Sequence, residues 1–124
     1  MSEQKTILIV EDSELNRRLL EAVLKPHGYR LLLVKDGETG VALARTEQPD
    51  LILMDVLLPG IDGYEATRQL RAEPETRHCV IVALTASATP EEKDQALAAG
   101  CDAYIAKPID TRAFPRQISQ FFSE

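Results

Sequence analysis

Five short apolar runs constrain this chain more than any other feature: Thr6 to Val10, Leu31 to Val34, Leu51 to Met54, Val80 to Leu84 and Ala103 to Ala106. Each is too short for a helix and almost free of polar interruptions, which predicts β-strands. Continuous rather than alternating hydrophobicity suits strands buried on both faces, as in a parallel sheet covered by helices. The stretches between the runs carry helical signals, so five strands alternate with five helices in an α/β sandwich, and right-handed crossovers leave few topologies.

In the first helix Leu15, Leu19 and Val23 recur at i, i+4 and i+8, with Leu20 and Leu24 widening the expected apolar face until Pro26 and Gly28 stop it. The second is expected to start at Asp36 as cap, carry Val41, Leu43 and Ala44, and end before Pro49. The third follows Asp62, with Glu65 at capping-box spacing. The fourth is the best marked: Thr89 as cap, Pro90 at the first helical position, Glu92 at the third and Gly100 as stop. The last carries Phe114, Ile118, Phe121 and Phe122, but Pro115 removes an amide and disfavours helical geometry at Phe114, so its first turn is expected to be irregular.

The 124 residues suffice for one domain with its own core, and no linker, repeat or low-complexity segment divides them. A net charge of −6, with acids spread along the chain, argues against nucleic acid and anionic membranes as partners and for a protein or small molecule. No signal peptide precedes the first strand and no run approaches the roughly 18 residues of a membrane span, so a cytoplasmic location is expected. Cys79 and Cys101 fit no metal spacing and each borders a strand, which predicts buried free thiols.

In open parallel sheets, functional groups gather beyond the carboxyl ends of the strands. Those ends carry Glu11 and Asp12, Asp55, Thr85 and Lys107. Three clustered carboxylates repel one another, and a divalent cation with oxygen ligands relieves the repulsion; Mg2+ fits, because it needs one or two carboxylates and commonly shares its other positions with phosphate. A carboxylate can attack phosphorus to give an acyl phosphate while the cation and a lysine neutralise the transferred oxygens, and a hydroxyl can report the phosphate's presence.

Each residue also has a plainer reading. Glu11 or Asp12 can be a helix-cap acid, Thr85 an ordinary strand residue, and Lys107 before Pro108 a surface turn lysine. Asp55 is harder to dismiss, because an acid closing the buried run Leu51 to Met54 is costly unless paired or metal-bound.

Ile7 to Asp12, Leu51 to Asp55, Leu58-Pro59-Gly60-Ile61-Asp62-Gly63, Leu84-Thr85-Ala86 and Ala106-Lys107-Pro108 stand in the order and at the separations of the receiver domains of two-component response regulators, which this chain resembles over essentially its whole length. The resemblance implies a single receiver domain over residues 1–124 with the flavodoxin-like (βα)5 fold: three layers around a five-stranded parallel sheet in order 2-1-3-4-5. It further implies Asp55 as phosphoacceptor, with Mg2+ held by Asp12, Asp55 and the backbone carbonyl of Leu57, and by Glu11 through water. Thr85 and Lys107 would contact the phosphoryl group, Tyr104 would be the aromatic switch that follows Thr85, and the Lys107–Pro108 peptide would be cis. The donor would be a phosphohistidine on a sensor histidine kinase or histidine phosphotransfer protein docked across the first helix, where Asn16, Arg17 and Leu20 are expected to set specificity. The output face would be the fourth helix, fifth strand and fifth helix.

With the chain ending at Glu124, output is expected to pass to a separate protein target, and the patterns Val10 to Asn16 and Ala83 to Ala88 resemble the DivK type of cell-cycle regulator more than the chemotaxis type. Pro115 interrupts a helix that often contributes to dimers, so a monomer or weak dimer is expected. Leu57 and Ser87 occupy positions that tune phosphate loss in this family, and an apolar Leu57 predicts slow self-dephosphorylation. A magnesium-dependent phosphohydrolase is disfavoured because Leu57 stands where a second acid is needed for turnover. An FMN module is disfavoured for want of a phosphate loop after the first strand. A phosphorylation-independent scaffold leaves the complete acid, hydroxyl and lysine set unexplained.

Overall fold

The computed structural model describes residues 4–87 and 89–122; Ala88 and the terminal residues 1–3 and 123–124, on which parts of the expectations above fall, lie outside it. Five parallel strands, β1 (Thr6–Val10), β2 (Arg30–Val34), β3 (Leu51–Asp55), β4 (Val80–Thr85) and β5 (Ala103–Ala106), form one sheet in the order β2-β1-β3-β4-β5. Between and after them run α1 (Glu14–Leu24), α2 (Gly37–Glu47), α3 (Gly63–Ala72), α4 (Pro90–Ala99) and α5 (Phe114–Gln120). The five apolar runs predict this α/β sandwich, and its flavodoxin-like form and strand order are those that the family resemblance implies.

The continuous runs divide by residue parity between two cores, because successive strand side chains point to opposite faces. Leu8, Val10, Ile52, Met54, Ile81 and Ala83 face α2, α3 and α4, meeting Val41, Ala44, Ala66, Leu70 and Ala96. Ile7, Ile9, Leu51, Leu53, Val82 and Leu84 face α1 and α5, meeting Leu20, Leu24, Phe114 and Ile118. Full burial of each such Leu, Ile or Val contributes about 1.5–3 kcal/mol of hydrophobic stabilisation. The central strands β1 and β3 are buried throughout, whereas β5 at the edge is half-buried along its length.

The helix starts follow their caps: the side chains of Ser13, Asp36, Asp62 and Thr89 accept the amides of Asn16, Thr39, Glu65 and Glu92. Gly100 ends α4 at φ 112°, a left-handed conformation that glycine adopts without steric cost. The capping-box carboxylates do not complete their boxes. Glu65 instead accepts from Arg68 and Gln69, neighbours on its own helix, and Glu92 turns into the body of the protein.

Two helices differ from expectation. Leu15 and Leu19 do not belong to the buried face of α1: Leu15 is 77% exposed, and the packing falls on Leu20 and Leu24 with Val23 beside them. An i, i+4 pattern identifies a face without saying which of two adjoining apolar faces meets the sheet, and the sheet selects the second. In α5, Pro115 lies in the first turn, where a missing amide costs nothing, so it starts the helix instead of disrupting it and Phe114 is fully buried. Phe121 and Phe122 lie beyond the helix end in a turn, half-buried against the same core.

Candidate functional site

Strand register assembles the site. Val10 pairs with Met54, Asp55 with Leu84 and Thr85 with Ala106, so Glu11, Asp55, Thr85 and Lys107 emerge side by side at one end of the sheet. Backbone bonds fix the last steps, from the Glu11 amide to the Val34 carbonyl, Val56 to Leu84 and Lys107 to Thr85. The loop after β3 folds back so closely that a Cβ at Gly63 would collide with the Asp55 carbonyl oxygen, which accounts for the glycine there. The Lys107–Pro108 peptide is cis.

These residues line a cleft of about 320 Å3, together with Asp12, Ser13, Asn16, Leu57, Ser87 and Glu92. Carboxylate oxygens of Glu11, Asp12 and Asp55 lie within 4.8 Å of one another, a donor set suited to a hard divalent cation. Glu11 and Asp55 are buried and Asp12 is exposed, so the cluster opens to solvent on one side. Lys107 Nζ lies 2.9 Å from Glu11 Oε1 and 3.2 Å from Asp55 Oδ1, bridging the two buried acids. The Ser13 amide donates to Glu11 Oε2 and the Leu57 amide to Asp55 Oδ1.

One lysine cannot balance two buried acids equally. Burial pushes the Asp55 carboxyl up, the adjacent Glu11 pushes it further, and Lys107 offsets this in part, leaving its pKa at about 6. Burial acts in the same direction on Glu11, but hydrogen bonds from Lys107 and the Ser13 amide outweigh it and hold Glu11 below the usual carboxylate range. For Lys107 burial would lower the pKa, yet its bonds to Glu11 and the charge of Asp55 dominate and raise it, so the ammonium stays charged. Asp55 therefore carries the unfavourable charge of the cluster, a carboxylate that gains from any added cation.

The Thr85 hydroxyl is turned toward the loop that follows it, 3.0 Å from the Ser87 carbonyl and 3.4 Å from Glu92 Oε1. Tyr104 is half-buried against the α2/α3/α4 core. Leu57 projects outward, 73% exposed beside Asp55.

Of the three α1 residues expected on a docking surface, Leu20 is a core residue, 1% exposed. Arg17 has an internal role as well: its Nη1 donates to the carbonyls of Glu11 and Asp12 and holds the acidic loop. Exposed apolar area on α1 comes instead from Leu15 and Leu19, and Leu19 borders a second hollow with Asn16, Pro108 and Ile109. Cys79 and Cys101 are buried free thiols, as expected. Among the described residues no helix is long and apolar enough to cross a membrane. Glu92, together with the tyrosine that holds it, Tyr64, was not among the candidate residues; its capping-box position gave it a local role and hid the one in the cleft.

The chain matches the response regulator receiver domain family over residues 7–119. The polar-differentiation response regulator DivK of Brucella anthropi is 38% identical over 120 residues, covering 97% of this chain and 98% of that protein. Among solved structures, the receiver domain of a sensor histidine kinase from Pseudomonas aeruginosa superimposes with a TM-score of 0.88 at 40% identity, covering 98% of this chain and 100% of that one; it holds a magnesium ion in its active-site cleft. A chemotaxis response regulator of Vibrio cholerae gives 0.91 at 25% identity over 96% and 99% of the two chains. Sheet order, the acid cluster and near full-length similarity thus agree, and the chain belongs to the response regulator receiver domain family of two-component signalling.

Proposed function

We propose that this receiver domain accepts a phosphoryl group on Asp55 from a phosphohistidine of a sensor histidine kinase or histidine phosphotransfer protein, and passes the change to a separate protein target. The observation that carries the reading is the uneven charge of the cleft: three clustered carboxylates have one lysine among them, and of the two buried acids it bridges, Asp55 is the one pushed up, to a pKa of about 6. Above that pH the carboxylate is ionised and able to attack. One of its oxygens forms the new bond to phosphorus, the phosphorus–nitrogen bond of the donor breaks, and the donor imidazole leaves with its electron pair and takes up a proton.

Lys107, already 3.2 Å from Asp55 Oδ1, supplies positive charge to the transferred oxygens. Asp12, Asp55 and the Leu57 carbonyl would hold Mg2+, with Glu11 acting through water. When bound, the ion supplies further charge neutralisation and orients the phosphoryl oxygens. Thr85 gives up its bond to the Ser87 carbonyl for a phosphoryl oxygen, and the half-buried Tyr104 turns inward behind it. The consequence falls on α4, β5 and α5, the face for the target. That β5 is half-buried and α4 buries only Ala96 and Ala99 supports this assignment, since thinly packed elements move at small cost. The 38% identity to the polar-differentiation response regulator DivK, over 98% of that protein, supports the reading as a response regulator.

The test is chemical. After incubation with acetyl phosphate and Mg2+, borohydride reduction converts an aspartyl phosphate to homoserine, and peptide mass spectrometry locates it. Homoserine at position 55 is expected; a phosphoryl group retained on any other residue would overturn the assignment.

A further inference from the structure

The first turn of α4 makes one capping bond and gives up the other. The Thr89 hydroxyl accepts the Glu92 amide at 3.2 Å, but the Glu92 carboxylate leaves the helix start and reaches two other elements. Its Oε2 accepts the Tyr64 hydroxyl of α3 at 2.6 Å, and its Oε1 faces the Thr85 hydroxyl at the end of β4 at 3.4 Å. The first contact is short and charge-assisted, the strong kind; the second is long and weak. Burial, then the hydrogen bond to Glu92 and its charge, push the Tyr64 phenol well above its ordinary range, so its hydroxyl remains a donor.

Thr85 has one hydroxyl proton to give. The Ser87 carbonyl and the Glu92 carboxylate both face it, and a phosphoryl oxygen on Asp55 must compete with both. A glutamate side chain loses considerable freedom when fixed, and the 3.4 Å contact alone is too weak to offset that loss. Tyr64 is what keeps Glu92 in place.

We propose that Tyr64 and Glu92 form a latch, two positioning residues that hold Thr85 in its phosphate-free arrangement and thereby set how readily the domain switches. The inference rests on Asp55 being the phosphoacceptor. It also ties α3 to α4: when Thr85 leaves, Glu92 keeps Tyr64 as its partner and the first turn of α4 loses its tie to β4.

The test uses beryllofluoride with Mg2+ as a phosphoryl mimic, and the methyl resonance of Thr85 as the reporter. Tyr64→Phe removes the anchor while keeping the ring and the Glu92 charge. It is expected to tighten beryllofluoride binding about three- to five-fold, the share of one modest hydrogen bond. The Thr85 methyl of the untreated variant is expected to move toward its beryllofluoride-bound position, a shift that a merely structural role would not produce. In a Glu92→Ala background, or Glu92→Met should that variant fail to fold, the acceptor is gone and Tyr64→Phe is expected to add nothing. Unchanged or weaker binding in Tyr64→Phe, or an equal gain without Glu92, would overturn the latch alone, provided the wild type binds the mimic. A wild type that does not bind it would overturn the phosphoacceptor reading and the latch with it.

Discussion

At the amino end of the sheet, the Arg71 guanidinium donates to the carbonyl oxygens of Gly100, Arg77 and Cys79 and to the Asp102 carboxylate. Asp102 also accepts the Ile81 amide, and Asp50 accepts the Thr6 amide, so the acids preceding β5 and β3 stitch neighbouring strands. At the carboxyl end, Glu11, Asp12 and Asp55 crowd around Lys107, and the pKa of Asp55 rises to about 6. The first cluster closes on itself with donors matched to acceptors; the second carries more negative charge than its single lysine offsets. Local balance marks a fastening, and local imbalance marks a site that gains from a ligand.

The contrast predicts opposite responses to losing a charge. The largest effect is expected at the balanced end, where Arg71→Ala removes a donor from three carbonyls and leaves the Asp102 carboxylate with the Ile81 amide, and is expected to cost about 3 kcal/mol in urea unfolding. Phosphorylation of the folded fraction is expected to persist. A cost below about 1 kcal/mol would break the comparison, because the fastening would then not hold the fold.

At the other end, Asp55→Asn is expected to stabilise the protein. Folded Asp55 keeps its proton to about 6 while the ordinary value is 3.8, so the folded chain holds the extra proton between those values. Its contribution to stability therefore falls as pH rises through that window, and the penalty is complete above about 6. The variant should gain on the order of 2 kcal/mol at pH 8 and little at pH 4. A pH-independent gain would locate the effect in packing.

Next in size is Mg2+, which at tenfold excess over its dissociation constant is expected to stabilise the wild type by about 1.4 kcal/mol, less in Asp12→Asn. An equal shift in both variants would remove Asp12 from the ligand set. The smallest concerns Leu57, whose exposed side chain offers no hydrogen bond to an attacking water. Leu57→Asn is expected to shorten the phosphoryl lifetime a few-fold, under about 1 kcal/mol in the barrier. Equal lifetimes would show that Leu57 does not protect the phosphoryl group.

The two clusters were unequally legible in the sequence. The strand ends announce Asp55, because an acid closing a buried apolar run is costly unless paired, and they announce Glu11, Thr85 and Lys107 through their joint placement at the same ends of the sheet. Arg71 gave no such signal; on α3 it reads as one more polar surface residue, and its carbonyl partners carry no side-chain signature. Glu92 reads in the sequence as a capping-box residue, which accounts for its amide bond to Thr89, while the bond of its carboxylate to Tyr64 depends on how α3 and α4 pack. Leu15, Leu19 and Leu20 teach the same lesson: periodicity finds apolar faces, and the rotation of α1 on the sheet decides which is buried.

The central claim, that an over-charged cleft makes Asp55 a magnesium-dependent phosphoacceptor, is tested most directly by intact-protein mass spectrometry after incubation with acetyl phosphate, with and without Mg2+, beside Asp55→Asn. One added phosphoryl group that requires both the metal and Asp55 is the predicted result. An adduct that persists in the variant, or none in the wild type once Mg2+ binding has been confirmed, would contradict it.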